Sequence, residues 1–277
     1  MDLPHTGRER PAGTKYTIRG WTMATSFGAL CSDFYVNHAV NLKMDLPGER
    51  ETILHLFDQV RKRVPSMDRF RRYEDELALE STRREAEYRW LVLRHNSIRT
   101  GHVNPQSMQD AYNFHRMILQ IAPYHLSLSA LDIDFLDLMF GFDLECMENH
   151  DQVVYDALLA ESPTHELLSP DDSRAGEGGK ILDVQPGLGM TLNSRGDLQA
   201  YFEVKTRTRG RRGQTRQSRQ EPISVMLSIR QYGPVDAINN LHKVFDEMKD
   251  HAERLAAERL VPHLLTPIAR QITSSSA

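Results

Sequence analysis

The chain has 277 residues, with 34 Lys and Arg, 38 Asp and Glu, a formal net charge of −4 and 2 Cys. A hydrophobic content of 40% and a charged content of 26% are typical of a folded globular protein and exclude an intrinsically disordered one. No apolar run approaches the 18 residues that a membrane-spanning helix needs.

The expected location is the cytoplasm. Residues 1–15 carry charges and two prolines where a secretion signal would need an apolar stretch. Two cysteines are too few for a disulfide framework. Cys31 and Cys146 both fall in apolar segments, so we expect buried thiols in a reducing compartment.

The first half of the chain predicts a ferredoxin-like order of elements. Apolar and polar residues alternate over 34–44, which predicts a half-buried strand. A helix with an apolar stripe follows and ends at Pro65. Further patterns predict strands around 71–80 and 88–98, a helix over 105–121 and a strand over 130–146. This order, strand-helix-strand-strand-helix-strand, is the split βαβ motif.

The second half repeats this order in part. A short helix (151–159) precedes strand patterns at 182–192, 198–204 and 223–229. A long helix begins near Val235, and we expect Pro262 and Pro267 to break or end it. Its apolar residues form a heptad-like seam of Ile238, Leu241, Phe245, Met248, Ala252 and Leu255.

The predicted fold class is therefore α+β, with two ferredoxin-like antiparallel sheets, helices on one face of each and a long C-terminal helix. The predicted organisation is an N-terminal arm (1–30), a first ferredoxin-like half (31–162), a linker rich in Pro, Ser, Asp and Gly (163–180), and a second, partial half (181–277).

The parity of the apolar residues changes within the 130–146 strand. Ile133 and Phe135 are odd-numbered, whereas the apolar residues from Leu136 to Leu144 are even-numbered. A slip of one residue would turn every later side chain to the wrong face, so we predict a β-bulge near Leu136–Asp137. The bulge places five acidic residues on one face: Asp132, Asp134, Asp137, Asp143 and Glu145.

These carboxylates are the only candidates for a metal site. Asp132, Asp134 and Asp137 have the oxygen ligands that Mg²⁺ and Ca²⁺ prefer. Alternate residues of a strand lie about 7 Å apart, so one strand does not complete a coordination shell. We favour a solvated face, or one paired with arginines from Arg69, Arg71 and Arg72, and we predict neither metal nor cofactor.

Charge is strongly segregated along the chain. Residues 117–173 hold twelve Asp or Glu and not one Lys or Arg. The segment 205–219 contains no acid and seven basic residues: Lys205, Arg207, Arg209, Arg211, Arg212, Arg216 and Arg219. Such a segment suits a polyanion or an acidic protein surface, and a solvated loop is the simpler alternative. It lacks the aromatic residues that stack on single-stranded nucleic acid.

The element order over roughly 34–268 resembles tandem ferredoxin-like proteins. It is also similar to a sporadically distributed group of uncharacterised bacterial proteins that end in a strand and one long helix, represented here by the stretch His242-Lys243-Val244-Phe245-Asp246. That group implies no activity. RNA-processing endonucleases of bacterial immunity share the tandem layout and carry a glycine-rich loop near the C-terminus, to which Arg209-Gly210-Arg211-Arg212-Gly213 is the nearest match.

No catalytic residue is predicted. The chain lacks a Gly-x-Ser-x-Gly motif and the glycine-rich phosphate-binding motifs, and none of its 12 histidines has metal-ligand spacing. His38 and His115 share the phase of apolar neighbours, which is typical of hydrogen-bonded core histidines.

The sequence therefore favours a non-enzymatic protein that binds a protein partner through its sheet, its basic loop and its C-terminal helix. The alternative is an RNA-binding or RNA-processing protein that uses the 205–219 loop. Oppositely charged segments on one chain favour self-association or docking to a charged partner. We expect part of the C-terminal seam to pack against a second copy.

Overall fold

The computed structural model describes residues 30–82, 87–168, 181–206 and 221–275. Nine strands form one antiparallel sheet in the order β2-β3-β4-β5-β1-β6-β9-β8-β7. The strands are β1 (Asp33–Leu42), β2 (Arg69–Arg72), β3 (Leu77–Glu80), β4 (Tyr88–Arg94), β5 (Ser97–Val103), β6 (Ile133–Leu144), β7 (Gly187–Thr191), β8 (Leu198–Lys205) and β9 (Ile223–Tyr232). The α-helices are α1 (Arg50–Arg63), α2 (Met108–His125), α3 (His150–Leu158), α4 (His165–Leu168), α5 (Leu241–Leu255) and α6 (Thr266–Ser275).

The prediction of an α+β protein with a long C-terminal helix is confirmed, but the described residues form one sheet and not two. The central strands β4-β5-β1-β6, with α1 and α2 in the connections, have the order of the split βαβ motif. The second half adds a meander, β7-β8-β9, to the outer edge of β6. It joins the first sheet because β9 pairs with β6 from Phe135 opposite Tyr232 to Leu144 opposite Ile223.

Two predicted strands divide differently in the structure. The 71–80 pattern covers parts of a hairpin, because β2 and β3 pair across the turn at 73–76. The 88–98 pattern runs from β4 into the start of β5, which turn back on each other with Arg94 opposite Ser97. Each pattern was read as one strand although polar residues fill its turn, Glu74-Asp75-Glu76 in the first and His95-Asn96 in the second.

The predicted β-bulge exists, but it lies nearer the start of β6. Asn41 pairs with Phe135 and Leu42 pairs with Ile133, so Asp134 is the extra residue. Ile133 and Leu136 consequently both face the helices, which resolves the change of parity. The structure moves the bulge away from the predicted Leu136–Asp137 position because those two residues pair regularly with Val40 and Ala39.

The helices cover one face of the sheet. Their buried aliphatic and aromatic residues join one core with the side chains of β1, β6, β8 and β9 that point to that face. The C-terminal helical segment runs from α5 through a π-helical stretch, Ala256–Leu265, into α6. Pro262 lies inside the π-helical stretch, where the Thr266 N–H donates to the Val261 carbonyl, and Pro267 lies in the first turn of α6. The prolines therefore do not end the helix, contrary to expectation.

The apolar seam of the C-terminal helix packs within the chain itself. Leu241, Phe245, Met248, Ala252 and Leu255 are all buried in the common core. Tyr112 of α2 donates its hydroxyl to Glu253, and Arg116 forms an ion pair with Asp246. The seam that we expected to contact a second copy is therefore occupied by the sheet and α2.

Three buried histidines line the interface between the sheet and the helices. His115 Nδ1 lies 2.8 Å from Thr100 Oγ1, and its Nε2 lies 3.2 Å from the Val36 carbonyl oxygen. This confirms the expectation of a hydrogen-bonded core histidine. His38 is 4% exposed and lines a cavity of about 10 Å³, and within the described ranges its Nε2 has no hydrogen-bond partner.

Burial keeps these imidazoles neutral. It lowers the pKa of His102, beside the Arg89 guanidinium, to about 3, and it lowers the pKa of His115 to about 3 as well. Burial, assisted by His115, also holds the pKa of His38 well below its ordinary value. Below the ordinary histidine pKa of about 6.5, the unfolded chain binds protons that the folded chain does not. Stability therefore falls as the pH falls from about 6.5.

We predict that His38→Leu makes the protein less sensitive to acid. The variant removes one group that the unfolded state protonates. Its free energy of unfolding, relative to that of the wild type, should therefore increase by about 1.4 kcal/mol for each pH unit below 6.5. Urea denaturation between pH 7.5 and 5 measures this gain. The control is His263→Leu at an exposed position. We expect its free energy of unfolding to run parallel to that of the wild type when both are plotted against pH. Parallel curves for His38→Leu would contradict the prediction.

Candidate protein-interaction site

No helix of the described residues covers the second surface of the sheet, which we call the helix-free face. It carries the alternate side chains of the central strands, among them Tyr35, Arg99, Asp137, Met226 and Arg230. The small apolar cluster on this side contains Ala78, Tyr88, Trp90 and Val92, and none of its described members comes from a helix. Because no described helix packs on this face, it is the first candidate for a binding surface.

A row of charges crosses the middle of the helix-free face. Ala39 lies opposite Arg99 on one side and Asp137 on the other, and Asp137 lies opposite Arg230. Arg230 Nη2 donates to Asp137 Oδ2 over 2.8 Å. Burial raises the pKa of Asp137, although the Arg230 guanidinium opposes the shift. The side chains of Asp137 and Arg230 are 14% and 19% exposed, so this ion pair is largely internal.

Aromatic rings enclose the Arg230 guanidinium. Its central carbon lies 4.6 Å from the ring centroid of Phe135, 5.4 Å from that of Tyr201 and 5.8 Å from that of Tyr232. These distances are within the range of cation–π attraction. Because Phe135, Tyr201 and Tyr232 lie on β6, β8 and β9, the arginine ties the added meander to the central strand.

Two further rings lie flat on glycines of the neighbouring strand. The Trp90 indole covers Gly101, and the Tyr35 ring covers Gly141. A Cβ at either glycine would overlap the ring, so only glycine allows this close approach. Trp90 is 8% exposed, and its ring therefore serves packing more than recognition.

Several polar atoms of the helix-free face are buried without a hydrogen-bond partner in the described part of the chain. They are Asn37 Oδ1, Asn41 Nδ2, Ser97 Oγ and Asp137 Oδ1. Together with the ion pair and the covered rings, they give the centre of this face a buried, polar character. The described side chains at its centre are buried or half-buried, so we place the exposed candidate site elsewhere on the sheet.

The open part of the sheet is its β7 edge. All five residues of β7, Gly-Leu-Gly-Met-Thr, are exposed, and the strand contains neither a charge nor a proline. Leu188 is 64% and Met190 37% exposed. Within the described residues, β8 is the only strand that pairs with β7, which is the last strand of the sheet.

The hydrogen bonds at the two ends of β7 show which of its amides point outward. The Leu192 N–H donates to the Leu198 carbonyl, and the Val204 N–H donates to the Pro186 carbonyl. In an antiparallel pair, residues facing one neighbour alternate with residues facing away from it. The even-numbered residues of β7 thus face β8, and Gly187, Gly189 and Thr191 direct their N–H and C=O groups away from the sheet.

The opposite edge of the sheet is protected. The edge strand β2 reads Arg-Phe-Arg-Arg, so it carries three positive charges within four residues. Arg71 Nε lies 3.3 Å from Glu80 Oε2 on β3, and the Phe70 ring packs against the Phe57 ring of α1. Charged side chains are a common means of preventing unwanted strand pairing. In the part of the chain that the structure describes, β7 has no such protection.

The structure describes only some of the residues that the sequence predicts to bind a partner or a metal ion. Lys205 ends β8, whereas Arg207, Arg209, Arg211, Arg212, Arg216 and Arg219 lie outside the described residues. Asp132 accepts a hydrogen bond from the Ser129 N–H, Asp134 is exposed, and Asp137 pairs with Arg230. Asp137 thus pairs with Arg230 and not with Arg69, Arg71 or Arg72. Among described residues, no group of three or more His, Cys, Asp or Glu could hold a metal ion.

Cys31 and Cys146 are not joined in a disulfide. Cys146 is buried and Cys31 is half-buried. Burial, reinforced by Asp143 and Asp33, raises the pKa of Cys31 to about 12, and burial also raises the pKa of Cys146. Both sulfurs are therefore protonated at neutral pH, which is the unreactive state of a cysteine.

No protein-family model matches the chain, and no curated protein matches it. None of the helices in the described ranges combines the length and the apolar character that crossing a bilayer requires.

We predict that Arg230→Met destabilises the protein by about 3 kcal/mol, because it leaves the buried Asp137 carboxylate without its cation. The double variant Asp137→Asn, Arg230→Met should recover part of this loss, since it removes the uncompensated charge. Denaturant unfolding of both variants measures the effect. As a control, Arg195→Met breaks an ion pair in which Arg195 is 78% exposed, and we expect a change below about 1 kcal/mol. A double variant less stable than Arg230→Met would contradict the charge argument.

Proposed function

We propose that this protein binds a protein partner by accepting a strand from it at the β7 edge. The observation that carries the proposal is the edge itself: a five-residue strand, exposed at every position and without charge, at the end of a nine-stranded sheet. Strand addition to an open edge is a recurring mode of peptide recognition, in which main-chain hydrogen bonds supply affinity.

The details of the strand support this mode. The outward-facing amides belong to Gly187, Gly189 and Thr191, and two of these residues have no side chain to hinder an incoming backbone. Leu188 and Met190 project to the helix-covered side, where Met190 Sδ lies 3.2 Å from Arg259 Nη1. An incoming strand therefore gains main-chain bonds from one set of residues and apolar contacts from the other.

We predict that a fluorescent peptide copying residues 185–193 binds the protein at submicromolar protein concentration. N-methylation of the peptide at Gly189 should weaken binding about tenfold, because it removes one main-chain hydrogen bond. If the peptide pairs antiparallel with β7 so that its Gly189 lies opposite Gly189 of the protein, the Met190 amide of the peptide points away from the protein. N-methylation at Met190 is therefore the matched control and should have less effect. Fluorescence anisotropy measures the affinities.

Amide hydrogen exchange locates the peptide on the protein. Bound peptide should slow exchange at Gly187, Gly189 and Thr191 and leave the exposed β2 edge unchanged. Absence of peptide binding to the monomeric protein, or protection only at other sites, would overturn strand acceptance at β7.

RNA binding through the 205–219 loop is the second candidate, and it rests on the charge of that segment. Affinity for mixed-sequence RNA oligonucleotides should then fall steeply with salt, because each neutralised phosphate releases a counterion. The triple variant Arg209→Glu, Arg211→Glu, Arg212→Glu should abolish binding without lowering the melting temperature. A flat salt response would remove this candidate and leave the β7 proposal untouched.

A further inference from the structure

We infer that the strand accepted at the β7 edge is β7 of a second copy, so that two chains pair antiparallel about Gly189. This inference rests on the proposed function, since it names the partner for the same edge. It follows from a property that a strand does not need for binding an unrelated peptide: β7 is complementary to itself.

The main-chain groups match under a two-fold axis. When Gly189 lies opposite the partner's Gly189, Gly187 lies opposite the partner's Thr191. All of these residues direct their N–H and C=O groups outward, so each opposed pair exchanges both hydrogen bonds. The contact uses the same patch on both chains and closes on itself, as in most dimers of identical subunits.

The side chains match in the same register. Leu188 lies opposite the partner's Met190, on the side covered by the helices. This is a non-hydrogen-bonded pair, in which opposed side chains are closest. The contact would cover Leu188 and Met190, both exposed in the single chain. On the other side, Gly187 and Gly189 have no side chain that could hinder the approach of the partner strand.

Charge also favours a second copy. Two β7 strands bring no like charges together, whereas two β2 strands would oppose three arginines with three arginines. A partner of strong opposite charge would gain nothing from the neutral strand. The pairing would join two nine-stranded sheets edge to edge into one continuous sheet.

A charge-swap experiment tests the inference on the full chain. One variant carries Leu188→Lys and Met190→Lys, and the other carries Leu188→Glu and Met190→Glu. Sedimentation at tens of micromolar should show a dimer for the wild type and monomers for each variant alone, because like charges would face each other across the contact. Mixing the two variants should restore a dimer, in which every lysine faces a glutamate.

The control variant Met44→Lys, Leu131→Lys adds the same charge at two positions that are 67% and 80% exposed and lie outside β7. It should remain a dimer. Because Met190 contacts Arg259, thermal unfolding is measured for each variant, and Leu188→Lys alone, which leaves that contact intact, replaces any double variant that unfolds. We expect this single change to weaken dimerisation at least tenfold.

The register has its own test. Disulfide cross-linking of a mixture of Leu188→Cys and Met190→Cys chains should give a mixed dimer, because these positions face each other in the proposed pairing. Neither chain alone should cross-link at these positions to a comparable extent.

The outcomes separate the inference from the proposed function. A wild type that is monomeric throughout this concentration range, or a charge-swapped mixture that stays monomeric, would overturn the second copy as the partner. If the 185–193 peptide still binds and protects β7, strand acceptance stands and the partner is a different chain. If the peptide also fails to bind, both the second-copy inference and the proposal of strand acceptance at β7 are overturned.

Discussion

The fold depends on strand β6, which pairs along nearly its full length with both β1 and β9. Its twelve residues connect the split βαβ half of the sheet to the added meander. The backbone of β6 pairs with a strand on each side, and its side chains alternate between the two faces of the sheet. The bulge at Asp134 is therefore required to bring Ile133 and Leu136 onto the same side. Without this extra residue, one end of the strand would turn Phe140 and Phe142, both fully buried, out of the core.

The same strand explains which features the sequence predicts and which it does not. Alternation identified β1, β6, β8 and β9, and the three- and four-residue spacing identified α1, α2 and the C-terminal helix. These are local properties of the chain. The merging of two halves into one sheet depends instead on the pairing of Phe142 with Val225, residues distant in sequence, and no periodic pattern records which strands are neighbours.

The charge pattern shows a similar limit. The acidic stretch 117–173 includes the 130–146 strand, for which we predicted a carboxylate face that is solvated or paired with arginines, with a metal ion as the less favoured alternative. The fold places these carboxylates in different environments: Asp132 caps a turn, Asp134 is exposed, and Asp137 pairs with Arg230, whose guanidinium lies over the Phe135 ring. Arg230 lies far from the acidic stretch in the sequence, yet it pairs with Asp137 in the fold. Opposite charges that are separated along the sequence are thus brought together in the structure. The β7 edge was visible in part, because Pro186 within the predicted 182–192 strand indicates a sheet edge or a bulge, but the position of β7 at the end of the sheet was not.

The two edges of the sheet therefore differ in a way that bears on function. A wide antiparallel sheet always ends in two rows of hydrogen-bonding groups, and a protein that remains a monomer has reason to protect both. Here β2 has arginines at three of four positions, so the chain has a means of blocking an edge and uses it on one side only. At β7 the same sheet presents two glycines, no charge and two exposed apolar side chains. An edge left open beside one that is blocked is what strand addition requires, because pairing is then directed to a single side and stops after one partner has been added.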